Sequence, residues 1–304
     1  MKEPSKGTEQ TLIEQTLSPE QLREKIRSGE HSGNTSGFCN GYVQCNLVIL
    51  PADSAADFLQ FCQSNPKPCP LIATSEPGVY NLPTLGKDID IRTDIPSYKV
   101  FEHGRVVSEV NDISALWRDD LVVFLLGCSF SFEEALIADG LDVRNISEAV
   151  NVPMYKTNID CTPAGPFAGE MVVSMRPFAP ADALRAAEIC KRFPSVHGEP
   201  IHYANPDHIG IDDIGRPDFG DAVTIKDGEL PLFWACGVTP QVALEAAKLG
   251  LSQFDAATPN ERDELEGELP EVRERGVRDH RCELVFAGGA GRVHQARRRP
   301  HRAP

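Results

Sequence analysis

Two stretches of the chain share one pattern: LLGCSFSFEEAL (residues 125–136) and FWACGVTPQVAL (residues 233–244). Each is an apolar run, then a corner of Gly and Cys, then a hydroxyl residue (Ser131 or Thr239) where a helix would start. A strand feeding directly into a helix leaves free backbone N–H groups and the positive end of the helix dipole at one point. Carboxylates and phosphates bind well there, and glycine lets them come close to the backbone. Cys128, Ser129 and Ser131 at one corner, with Cys236, Gly237 and Thr239 at the other, are therefore candidate anion-binding residues. A plainer reading stands beside this one. Ser131 and Thr239 would only cap their helices, with Pro240 at the first helical position, and the two cysteines would be small buried hydrophobes. A helix N-terminus lowers a thiol pKa without requiring chemistry.

Three further segments carry reactive side chains. In MVVSMRPF, Arg176 follows an apolar strand; there it would clamp a carboxylate bidentately or form an interdomain ion pair. In PSVHGEPIH, His197 and Glu199 lie two residues apart, which suits a pair that passes a proton near neutral pH. Asp160, at the end of KTNID, is a reserve carboxylate on the same rim. His202, His208, Asp212 and Asp213 follow, but their spacing fits no metal-ligand motif, so neither metal nor cofactor is expected.

The elements that must position these groups can be read from periodicity and punctuation. Ser18-Pro19 opens a helix closed by Gly29, YVQCNLVILP and PCPLIATSE are strands, and SAADFLQFCQSNP is a helix stopped by Pro66. YKVFEHGRVVSEV is a hairpin turning at His103-Gly104, and Trp117 sits in a short helix. DDLVVFLLG is a continuous apolar strand of the kind found in a parallel sheet, running into the helix SFEEALIADG. Residues 150–205 hold strands (VPMYKTNI, MVVSMRPF) and the helix PADALRAAEICKRFP, a small α+β lobe. AVTIKDGELPLFWACG reads as a hairpin with Asp227-Gly228 at its tip.

Net charge is −15 over 304 residues, and residues 1–290 hold no Lys/Arg cluster of the kind that tracks phosphates. Nucleic acid and anionic membrane are therefore not expected partners. The first residues show no apolar segment like that of a signal peptide. The nine cysteines form no CxxC pair and suggest free thiols, hence a cytoplasmic protein. Residues 251–304 are dense in charge and end in RVHQARRRPHRAP; a loosely ordered tail is expected.

NLVILP, FCQSNPKPCPLI, RTDIPSYKVF, LWRDDLVVFLLGCSFSFEEAL, NVPMYKTNIDC, VVSMRPF, RFPSVHGEPIH and PDFGD…FWACGVTPQ occur in one order over about 20–248. Together they resemble a family of bacterial and fungal proteins named as hydro-lyases, itself similar to the N-terminal part of animal mitochondrial D-glutamate cyclase. The resemblance implies an α/β fold: a three-layer αβα domain (15–149 and 206–250), a smaller α+β domain inserted at 150–205, and a divergent tail. The family's later His- and Pro-bearing motif is not found after Lys248. The implied activity is that of a carbon–oxygen lyase dehydrating a small carboxylic acid, such as D-glutamate closing to 5-oxo-D-proline. His197, Glu199 and Asp160 would be catalytic, and the corner residues with Arg176 would hold the carboxylate. A mitochondrial location follows by analogy with the animal protein. Two other readings stay open: a non-catalytic small-anion-binding module, or an inactive, truncated or frameshifted family member. Assembly as a homo-oligomer is also left open.

Overall fold

A computed structural model describes residues 17–86 and 88–249 in full, with the backbone of 253–256 and 284–286. Helix α1 (Pro19–Arg27) starts as its sequence requires: the Ser18 hydroxyl accepts from the Gln21 N–H, and the Gln21 side chain accepts from the Ser18 N–H. Leu22 and Ile26 bury themselves against Cys39.

The first sheet runs in the order β2 (Leu71–Thr74), β5 (Leu121–Gly127), β1 (Val43–Pro51), β10 (Gln253–Ala256), β3 (Tyr98–Glu102), β4 (Arg105–Val110). Strand β11 (Leu284–Phe286) pairs with β1 in parallel, and every other pairing in this sheet is antiparallel. The expectation of a parallel sheet around DDLVVFLLG is thus corrected. All seven residues of β5 are buried because both faces of the sheet are covered. Leu121, Val123 and Leu125 pack with Leu82, Ile91 and Ile95 on one side. Val122, Phe124 and Leu126 pack with Phe58 and Phe61 of helix α2 (Ala52–Ser64) and with Leu244 of helix α6 (Thr239–Ala247) on the other. A continuous apolar run records burial on two faces and is silent about strand direction.

The second sheet is antiparallel, ordered β6 (Met154–Asp160), β7 (Glu170–Phe178), β9 (Leu230–Ala235), β8 (His202–Tyr203). Helix α3 (Phe130–Ala138) leaves the end of β5 in the first sheet and crosses to the second. Its Phe132 and Leu136 pack with Phe178, Leu232 and Trp234, alongside helix α5 (Pro180–Cys190). Burying a side chain of Phe132's size contributes about 2 kcal/mol.

Mixed α/β character is as expected from the sequence. The hairpin around Asp227-Gly228 is not: the turn forms, but only Leu230–Ala235 becomes a strand. Side chains take the backbone groups that a partner strand would have used. The Glu148 carboxylate accepts from the Thr224 N–H, and Arg144, in the short helix α4 (Arg144–Ser147), donates to the Thr224 carbonyl while pairing with Glu229. Trp117 follows a single 3₁₀ turn, Ser114–Leu116, in extended conformation, and its indole N–H donates to the Gly78 carbonyl. No helix among the described residues is long and apolar enough to cross a membrane. The expected disordered tail falls outside the described residues, apart from the backbone of β10 and β11.

Candidate active site

The two strand-to-helix corners meet. Cys128 and Cys236 belong to one apolar cluster with Phe130, Met154, Val172 and Phe219. The glycines permit the approach. A Cβ on Gly127 would lie 2.0 Å from the Ser195 carbonyl oxygen, and one on Gly237 would lie 1.8 Å from the Asn46 amide nitrogen. Burial pushes the Cys128 thiol up to about 12 and the Cys236 thiol up to about 11. The backbone N–H groups of Phe130 and Val238 oppose that rise in part. The thiols are thus protonated. The Ser129 and Gly237 amides donate to no other described residue.

The two hydroxyl residues do not cap. Helix α3 has Ser129 at its N-cap position, two residues earlier than expected, with no side-chain cap bond. Ser131 reaches across to β1, accepting from the Gln44 N–H at 2.6 Å and donating to the Gln44 carbonyl at 3.2 Å. Helix α6 has Val238 at the N-cap, and Thr239 is already helical. The Thr239 hydroxyl accepts from the Val172 N–H and donates to the Cys236 carbonyl. Each hydroxyl thus ties its corner to a neighbouring strand, whose backbone groups compete successfully with the helix end.

Arg176 is buried behind the first corner, and its guanidinium is largely spent. Nε and Nη2 donate to Glu133 Oε1 at 3.1 and 2.5 Å, Nη1 donates to the Ser174 hydroxyl at 3.1 Å, and Nη2 donates to the Ser129 hydroxyl at 3.2 Å. The plane also lies over the rings of Phe132 and Trp234. Glu133 is equally buried, its Oε2 accepting from the Ser36 hydroxyl at 2.6 Å and its Oε1 from the Asn145 amide at 3.4 Å. Sequence reasoning missed Glu133, Ser36, Asn145 and Gln44. One signal was available for Glu133: it follows Phe132 and precedes Leu136 on a short helix with an apolar inner face.

His197 is fully buried, in left-handed backbone conformation (φ 84°). Its Nδ1 lies 2.7 Å from the Lys67 carbonyl, which can only accept, so Nδ1 carries the hydrogen and Nε2 the lone pair. Nε2 is buried without a partner. Desolvation pulls the ring's pKa down to about 4, with help from the Arg176 and Lys67 charges and against the Lys67 and Gly127 carbonyls. The ring is neutral at physiological pH. Glu199 does not pair with it. Its carboxylate instead accepts from the Lys67 ammonium at 2.7 Å, which lowers its pKa, and the Glu199 carbonyl accepts from the same ammonium at 3.0 Å. Asp160 is exposed and pairs in register with Glu170, six residues before Arg176 along β7, roughly 20 Å away at strand rise. Two other buried acceptors lie unpartnered beside these groups, Gln44 Oε1 and Asn145 Oδ1.

The two corners, a buried Arg–Glu pair and a neutral histidine thus sit together in a mixed α/β protein. Residues 122–259 match the D-glutamate cyclase family. Proteins named "Putative hydro-lyase" are similar over most of the chain. That of Bordetella petrii is 59% identical over 226 residues, covering 74% of this chain and 86% of the relative. That of Azorhizobium caulinodans is 59% identical, covering 75% and 84%, and that of Burkholderia ambifaria is 56% identical, covering 78% and 92%. The chain belongs to the family of these proteins named as hydro-lyases. A solved nitrogen repressor-like protein from Methanococcus jannaschii aligns at TM-score 0.31 and 8% identity over 69% of this chain and 83% of that one, too distantly to bear on fold or function.

Proposed function

We propose that the protein is a hydro-lyase for a small carboxylic acid, with closure of D-glutamate to 5-oxo-D-proline as its reaction. In that reaction the amine nitrogen attacks the side-chain carboxyl carbon. A C–N bond forms, a C–O bond breaks, and two protons pass from nitrogen to the departing oxygen, which leaves as water. The observation that carries this reading is His197: a buried neutral imidazole whose Nδ1–H donates to the Lys67 carbonyl and whose Nε2 has no hydrogen-bond partner. Such a group accepts a proton without first having to lose one. The free Ser129 and Gly237 amides would hold carboxylate oxygens as charge redistributes in the transition state. Cys128 and Cys236 would shape the pocket, Ser131 and Thr239 would fix its walls, and Arg176 would supply positive potential. Glu199 would act through Lys67, and Asp160 would lie at the rim.

The test is turnover by the purified protein, followed by NMR, on D-glutamate, L-glutamate and a series of four- to six-carbon hydroxy acids. Lactam from D-glutamate is expected. His197→Gln should lower kcat about 100-fold with KM nearly unchanged. No product from any acid would sink the reading, and undiminished turnover by His197→Gln would remove that residue from it.

A further inference from the structure

The second corner holds a group that no motif pointed to. Lys99, on β3, is 7% exposed. Lysine is rarely buried unless it is paired, because an ammonium loses its hydration there. Yet no carboxylate pairs with Lys99 among the described residues. Its single polar contact among the described residues is a long one, 3.4 Å to Gln241 Oε1 in the first turn of α6. Gln241 is equally buried and directs its amide nitrogen to Glu245 at 3.2 Å. The cross-strand neighbour Glu109 forms no ion pair with it; its Oε1 takes the Ser97 hydroxyl at 2.6 Å. Tyr98 and Val100 face the core cluster on the other side of the sheet, so alternation turns Lys99 towards α6. Asn46, on the same sheet, packs its amide against Gly237 at the start of that helix.

We propose that the Lys99 ammonium is the anchor for a ligand carboxylate, bound at the first turn of α6 between Lys99, the Asn46 amide and the Gly237 N–H. The carboxylate would complete the ammonium's hydrogen bonds and neutralise it where the helix dipole also favours an anion. The identification of the anion as a carboxylate rests on the reading of the substrate as a small carboxylic acid.

The experiment uses the full chain and glutarate, a dicarboxylate that cannot close to a lactam, with Tm and calorimetric Kd as readouts. Wild type should be stabilised by glutarate. Lys99→Met should raise the Tm of the free protein, since it removes an uncompensated charge, and weaken glutarate about tenfold or more. Gln241→Glu, which sets a carboxylate beside the ammonium, should do the same without changing Lys99. Lys99→Arg should retain binding. Glutarate binding unchanged in both Lys99→Met and Gln241→Glu would overturn the site. So would an Asp255→Asn variant destabilised as a broken buried pair would be, Asp255 being the register partner of Lys99. Stabilisation by phosphate and not by glutarate would overturn the carboxylate assignment. Because glutarate is not turned over, loss of binding in Lys99→Met with no lyase activity in wild type would leave this site standing and sink the proposed reaction. Lactam formation unaffected by Lys99→Met would do the reverse.

Discussion

The two corners are near-copies in sequence and opposites in charge balance. At the first, Arg176 already has a carboxylate: Glu133 occupies its Nε–Nη2 edge as a bound acid would. At the second, Lys99 has only an amide oxygen at 3.4 Å. The same strand–Gly/Cys–helix grammar therefore yields one self-satisfied junction and one whose cation meets no carboxylate among the described residues. An arginine near a helix start is weak evidence for a substrate clamp until its donors have been counted. A buried charge with no carboxylate beside it among the described residues is stronger evidence.

The largest effect that separates the corners should come from breaking the first. Glu133→Ala leaves Arg176 buried and unpaired and should cost about 3–5 kcal/mol, read by chemical denaturation. Arg176→Met together with Glu133→Leu should recover much of that loss. If Glu133→Ala costs less than about 1 kcal/mol, the first corner is not held by charge.

The next effect is one of pH. The folded-state pKa of His197 is pulled to about 4 from an ordinary 6.5. The unfolded chain therefore binds a proton that the folded chain refuses between those values, and stability falls as pH drops through that window. The loss should approach about 3 kcal/mol near pH 4. His197→Gln should flatten this part of the stability profile, and an unchanged slope would mean that the ring is not held neutral.

Smaller effects test the ties between each corner and its neighbouring strand. Thr239→Val keeps the shape but strands the buried Val172 N–H, at a cost of about 1–3 kcal/mol. Ser131→Ala removes the equivalent tie to Gln44 and should cost about 1 kcal/mol. A much larger loss at one of these two positions would show that the corners differ in support as well as in charge. The smallest effect belongs to Lys67→Met. Its bond to Glu199 is more than a third exposed and should contribute well under 1 kcal/mol to stability.

Much of the architecture was legible because local rules were obeyed. Ser18, Pro19 and Gly29 bound α1, and His103-Gly104 turn the β3–β4 hairpin. Strand direction was not legible, because β5 is apolar for a reason that parallel and antiparallel sheets share. The failed hairpin at Asp227-Gly228 shows the same limit: its dipeptide set the turn, but Arg144 and Glu148, about 80 residues away in sequence, decided what the flanking backbone would bond to. The site was half visible. His197, Arg176 and the corner glycines announce themselves by residue type and punctuation. Glu133, Gln44, Asn145 and Lys99 are polar residues within apolar elements, and only the packing of one sheet against the other makes them neighbours of the corners.

Helix α3 begins where a strand of the first sheet ends and spends its apolar face on the second. Melting the first sheet frees the start of this helix and melting the second exposes Phe132 and Leu136, so heating should produce one calorimetric transition instead of two. The same tether means that a ligand closing the corners would stiffen both halves at once, and amide exchange in β9 should slow along with that in β5.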